Sequence, residues 1–74
     1  MSSPSWGDTV RVRADAPAGM RPDNVGEVVG MRDVDTAEVA VQFKAPIGSR
    51  IYLVEFADGA ALEIAAAWVV ATSP

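Results

Sequence analysis

Asp58-Gly59 stands between two runs of alternating side chains, and that arrangement constrains the fold more than any other feature of the sequence. Asp and Gly supply the positive φ that a tight hairpin turn requires. Before the turn, residues 51–56 place Tyr52, Val54 and Phe56 on one face; after it, Leu62 and Ile64 alternate with Glu63. Period-two alternation on both sides predicts two antiparallel strands with one buried face. Residues 60–71 also admit a helix, because their alanines have high helix propensity and Asp58 can cap. Such a helix would be apolar nearly all round, with Glu63 its only polar residue, and a chain of 74 residues cannot cover it. The hairpin is the preferred reading, with the helix as its alternative.

Other segments repeat the alternation. In Thr9-Val-Arg-Val-Arg13, Val10 and Val12 point one way and Thr9, Arg11 and Arg13 the other. Residues 14–24 contain Pro17, Gly19 and Pro22, which exclude regular helix and central strand and predict a long ordered loop. Val25-Gly-Glu-Val-Val-Gly-Met-Arg32 reads as a strand, but Val28 and Met31 are three apart with Gly30 between them. That break predicts a bulge or sharp bend. A turn is expected at residues 33–36. Residues 38–44 alternate again, with Val39, Val41 and Phe43 inward, and predict an extra strand or else part of a long loop over residues 36–49. Ala65-Ala-Ala-Trp-Val-Val70 reads as one helical turn and a short closing strand. Residues 1–6 are expected to be a flexible N-terminus, 7–71 a single domain, and 72–74 a C-terminal tail.

Composition narrows the function. The chain has no cysteine and no histidine, so disulfides, thiolate nucleophiles, imidazole bases and Cys/His metal sites are excluded. No cofactor or metal is expected, and no catalytic residue stands out. Residues 1–32 balance four arginines against four acids, whereas residues 33–74 carry a balance of −4. That charge repels a phosphate backbone and disfavours a nucleic-acid partner. The N-terminus lacks the basic and apolar regions of a signal peptide, and the longest apolar run is too short to span a bilayer. A cytoplasmic protein without membrane contact is expected. A domain of this size lies near the lower limit for a self-sufficient core, so oligomerisation or docking would help it.

The pattern as a whole is all-β: a small SH3-like barrel of five to six strands with one helical turn before the last. Gly7-Asp-Thr-Val-Arg-Val-Arg13, Ala-Pro-Ala-Gly-Met-Arg-Pro22 and Val25-Gly-Glu-Val28 resemble the barrel domain in the β subunit of nitrile hydratases. Ile51-Tyr-Leu-Val-Glu-Phe56 and Leu62-Glu-Ile64 look like its later hairpin. More weakly, the chain is similar to the small barrel protein of photosystem I and to the variable chain of ferredoxin–thioredoxin reductase. These are non-catalytic subunits that pack on a metal-bearing partner, so the resemblance implies an accessory role. The cysteine cluster that holds the hydratase metal belongs to its α subunit and has no counterpart here. Residues 36–49 have no clear counterpart either.

Candidate binding residues follow from exposure and placement. Arg11 and Arg13 share the outward face of the first strand with Cα atoms roughly 7 Å apart, a spacing suited to a carboxylate or acidic surface. A solvated face paired with nearby acids is the simpler account of both. Arg21, with Met20 beside it in the long loop, is a candidate because loops on a rigid scaffold carry recognition. Trp6 precedes the first strand on flexible flanks and can anchor an interface. Trp68 and Tyr52 are read as core, the latter with its hydroxyl at the rim. A barrel this small fills with side chains, so no small-molecule pocket is expected. The expected function is a non-enzymatic protein-interaction or accessory module, docking on a larger (metallo)enzyme subunit or self-associating. The alternatives are a KOW/Tudor-like nucleic-acid-binding barrel and an accessory subunit whose Arg13 or Arg21 completes a partner enzyme's active site.

Overall fold

The structure, a computed structural model, describes residues 4–72. Five strands, β1 (Thr9–Val12), β2 (Val25–Asp33), β3 (Arg50–Phe56), β4 (Ala61–Ala65) and β5 (Val69–Ala71), form one sheet in the order β4-β3-β2-β1-β5. Every pairing is antiparallel. One helix, α1 (Ala37–Phe43), joins β2 to β3, and 3₁₀ turns occupy Ala18–Met20 and Ala66–Trp68.

The hairpin around Asp58-Gly59 forms as expected. Leu53 faces Glu63, Gly59 has φ 87°, and Asp58 Oδ1 accepts the Ala60 N–H at 3.2 Å. Pairing with β3 satisfies one side of the β4 backbone and buries Ile64 and Ala65, whereas a helix apolar all round would leave much of its surface uncovered. The 3₁₀ turn before a short last strand is likewise present. Between Val28 and Gly30 the β2–β3 register slips, leaving Val29 unpaired as the bulge that broke the alternation required.

Inward side chains of the alternating runs build the core: Val10 and Val12 from β1, Val28 from β2, Tyr52, Val54 and Phe56 from β3, and Ile64 from β4. Full burial of each such side chain contributes about 1.5–3 kcal/mol. Trp68 packs partly buried against this cluster, and the buried Tyr52 ring carries its hydroxyl to the rim, where it donates to Pro4 O at 3.0 Å.

Residues 38–44 do not form the expected strand. Ala37–Phe43 is helical because Thr36 Oγ caps it, accepting the Val39 N–H at 3.2 Å, and Glu38 suits its positive N-terminal end. Val39, Ala40 and Phe43 share a half-buried face, whereas Val41 is 77% exposed. β2 and β3 already pair with each other along this length, so the segment between them has no ladder to join. The excursion closes where Gly48 donates to Val34 O and Val34 to Ser49 O, both at 2.8 Å, with Val34 buried. Among the described residues the domain is therefore mostly β with one helix, and its five strands form one sheet whose end strands, β4 and β5, do not pair with each other, so the ladder is not closed as a barrel would have it.

The long loop between β1 and β2 is clipped to Val12, whose N–H bonds Asn24 O and whose carbonyl accepts from Asp23 N, both at 2.9 Å. The expected flexible end falls partly outside the described residues, at residues 1–3, as does most of the tail, at residues 73–74. Among the described residues, no helix is long and apolar enough to cross a membrane.

Candidate partner-binding surface

The register of β1 sets the composition of its outward face. Arg11 lies opposite Val25 of β2 on one side and Val70 of β5 on the other. Val25 is 47% and Val70 50% exposed, so the row Val25–Arg11–Val70 presents a cation between two apolar flanks. Among the described residues, Arg11 has no ion-pair partner and makes no side-chain hydrogen bond.

Arg13 differs from Arg11 although it shares the same face. Its Nε and Nη2 grip Asp15 at 3.0 and 2.9 Å, and its guanidinium lies 5.8 Å from the Trp68 ring. The two arginines therefore do not act as one carboxylate clamp, because one is engaged two residues along its own chain. A cleft of about 550 Å³ opens over this region, with Arg11, Val70, Ala71 and Thr72 along it and the Arg13–Asp15 pair and Asp23 beside them.

Arg21 is also engaged. It adopts a left-handed conformation at φ 57°, contacts both Asp58 oxygens through Nη1, and lies 5.1 Å over the Phe56 ring. Met20 packs against the core. Arg21 thus ties the long loop to the β3–β4 hairpin while Met20 seats it on the core. Asp58 sits below the ordinary carboxylate pKa, first because it accepts the Ala60 N–H and then because of Arg21.

Trp6 is 66% exposed, yet its backbone is held. Asp8 N donates to Ser5 O at 3.0 Å, Ser5 N returns a bond to Asp8 Oδ2 at 2.9 Å, and Gly7 takes φ 81°, as a type II turn requires. Gly7 N on Val28 O and Val28 N on Asp8 O then fasten this turn to β2, each at 2.9 Å. Trp6 thus stands exposed on a turn whose backbone is hydrogen-bonded to β2.

Sequence reasoning did not single out Val25 and Val70. Each is ordinary alone, and only the pairing register brings them beside Arg11.

Comparison with protein-family models, with curated proteins and with solved structures returned no match.

Proposed function

We propose that this chain is a non-enzymatic protein-interaction module on a small SH3-like barrel, docking on a larger enzyme subunit or assembling with itself. The strand order, the 3₁₀ turn leading into β5 and the resemblance of residues 7–28 and 51–64 to the nitrile hydratase β-subunit barrel support that framework. Trp6 carries the reading. An exposed tryptophan loses little conformational entropy on binding when its turn is already fixed, and tryptophans dominate binding hot spots. Arg13, Arg21, Arg32 and Arg50 each lie within ion-pair distance of an acid, which argues against a phosphate-tracking surface.

The test is a pull-down from native extract combined with light scattering of the purified protein. A stoichiometric partner or a defined oligomer is expected, weakened about tenfold or more by Trp6→Ala with the fold intact, as hot-spot truncations of about 2 kcal/mol imply. A monomer at high concentration with no captured partner overturns the proposal.

A further inference from the structure

Hydrogen-bond parity decides which backbone groups of β5 are free. Arg13 N donates to Trp68 O at 2.9 Å and Thr72 N to Thr9 O at 3.2 Å, while Arg11 faces Val70 between them. Bonded pairs alternate in an antiparallel ladder, so Val70 turns its groups toward β1 whereas Val69 and Ala71 turn theirs to the open edge. The Val69 N–H is taken by Ala66 O. The Val69 carbonyl and both backbone groups of Ala71 have no protein partner among the described residues.

The opposite edge strand carries a charge. Phe56 N bonds Ala60 O, so Ala61 and Glu63 turn their backbone groups outward along β4, and the Glu63 side chain on that strand is paired with Arg32 at 2.7 Å. Charge on an edge strand discourages a further strand. Val69-Val70-Ala71 has no charge and no proline.

We propose that the β5 edge takes an extended segment of a protein partner as a sixth strand, with one carboxylate of that segment on Arg11. The inference rests on the protein-binding reading above and names the chemistry of the partner. An added strand lies two ladder spacings, about 10 Å, from β1, a gap that Arg and Glu side chains span from opposite sides of Val70. Main-chain bonds to Val69 and Ala71 supply affinity and the Arg11 pair supplies choice. Arg13 of the cleft is already paired with Asp15, which leaves Arg11 as the cation to be matched, so the fitting segment has one carboxylate between neutral neighbours. A second copy fits less well. It brings net charge −4 against −4, and a two-fold centred on Val70 would extend the row with the second copy's Val70 and then its Arg11, which offers Arg11 no carboxylate.

The probe is acetyl-Thr-Val-Thr-Glu-Thr-Val-Thr-amide, titrated into the full chain and followed by backbone amide NMR. Shifts are expected at Arg11 and residues 69–72, with affinity falling about tenfold or more when the central Glu is Lys. Arg11→Glu should reverse that preference. Ala71→Pro should abolish binding, because it removes an outward N–H and leaves the ladder to β1 untouched. Arg11→Glu keeps the test decisive if Ala71→Pro fails to fold. Absence of shifts at about 1 mM peptide, equal binding of the Lys peptide, or shifts elsewhere overturns the proposal. So does a dimer that Ala71→Pro dissolves, since the edge then takes a second copy. A native partner lost with Trp6→Ala but kept with both Arg11→Glu and Ala71→Pro overturns strand addition alone and leaves the protein-binding reading standing.

Discussion

Arg21 and Asp58, 37 residues apart in sequence, tie the long first loop to the tip of the β3–β4 hairpin. Nη1 of Arg21 lies 2.9 Å from Oδ2 and 3.0 Å from Oδ1 of Asp58. The same carboxylate accepts the Ala60 N–H that shapes the turn. One aspartate thus serves a local and a long-range purpose, and the arginine it holds covers the Phe56 ring.

This arrangement predicts an acid-sensitive contact. Asp58 has its folded pKa lowered from 3.8, chiefly by the Ala60 N–H and then by Arg21. A lowered folded value means the contribution is complete above roughly pH 4 and is lost as pH falls through the folded pKa. Carboxyl NMR should show Asp58 titrating below an unstructured aspartate. Arg21→Gln should return the value only part of the way, because the Ala60 donor remains. Asp58→Asn should remove this share of the acid limb of stability. Titration of wild-type Asp58 at the ordinary value contradicts the geometry.

Gly26 leaves no room for a side chain where β2 meets β3. A Cβ there would lie 2.6 Å from both Glu55 O and Val54 Cγ1. Backbone cannot yield cheaply, so Gly26→Ala should cost about 1–3 kcal/mol. Gly30→Ala meets Leu53 Cβ at 3.3 Å, a milder overlap that a backbone shift of a few tenths of an ångström relieves, and should cost less than Gly26→Ala. Urea unfolding of the two variants measures the contrast, and equal losses would refute it.

The strands were legible where a local signal sufficed. Alternation located β1, β3 and β4, Asp58-Gly59 located the hairpin, and the spacing of Val28 and Met31 around Gly30 revealed the bulge. Helix α1 was misread because Val39, Val41 and Phe43 satisfy period two while Val39, Ala40 and Phe43 satisfy the helical period. The Thr36 cap and the prior pairing of β2 with β3 decide between them, and the second of these is not local. The candidate surface was legible only in part. Arg13 had its partner two residues away at Asp15, within view of the sequence. Arg21–Asp58 and the valines flanking Arg11 depend on register and on contacts across the fold, which leave no trace in neighbouring residues.

Glu27 and Glu55 stand directly opposite each other across β2 and β3, both exposed and without an ion-pair partner among the described residues. Like charges in that position repel. Glu27→Thr should stabilise the fold by about 0.2–1 kcal/mol, also placing a β-branched side chain beside Thr9. Denaturation at low and high salt tests it. The gain should shrink as ionic strength rises, because exposed charges are screened. A gain independent of salt would assign the effect to propensity rather than repulsion.

Arg32 bridges α1 to the sheet. Its guanidinium lies 5.6 Å from the Phe43 ring while Nε and Nη2 grip Glu63 of β4 at 2.7 and 3.1 Å. A helix of seven residues is unstable by itself, so α1 depends on its Thr36 cap and this bridge. Arg32→Ala removes an exposed cation–π contact and a surface ion pair, each worth about 0.2–1 kcal/mol. Amides at Ala40 and Lys44, which bond within the helix, should then exchange several-fold faster. Amides at Val54 and Ile64 in the core should keep their protection unless global stability falls by as much. Arg32→Lys retains the charge but loses the two-pronged grip, and should fall between the two. Unchanged exchange in α1 would show that its cap and the closed base at Val34 hold it without the arginine.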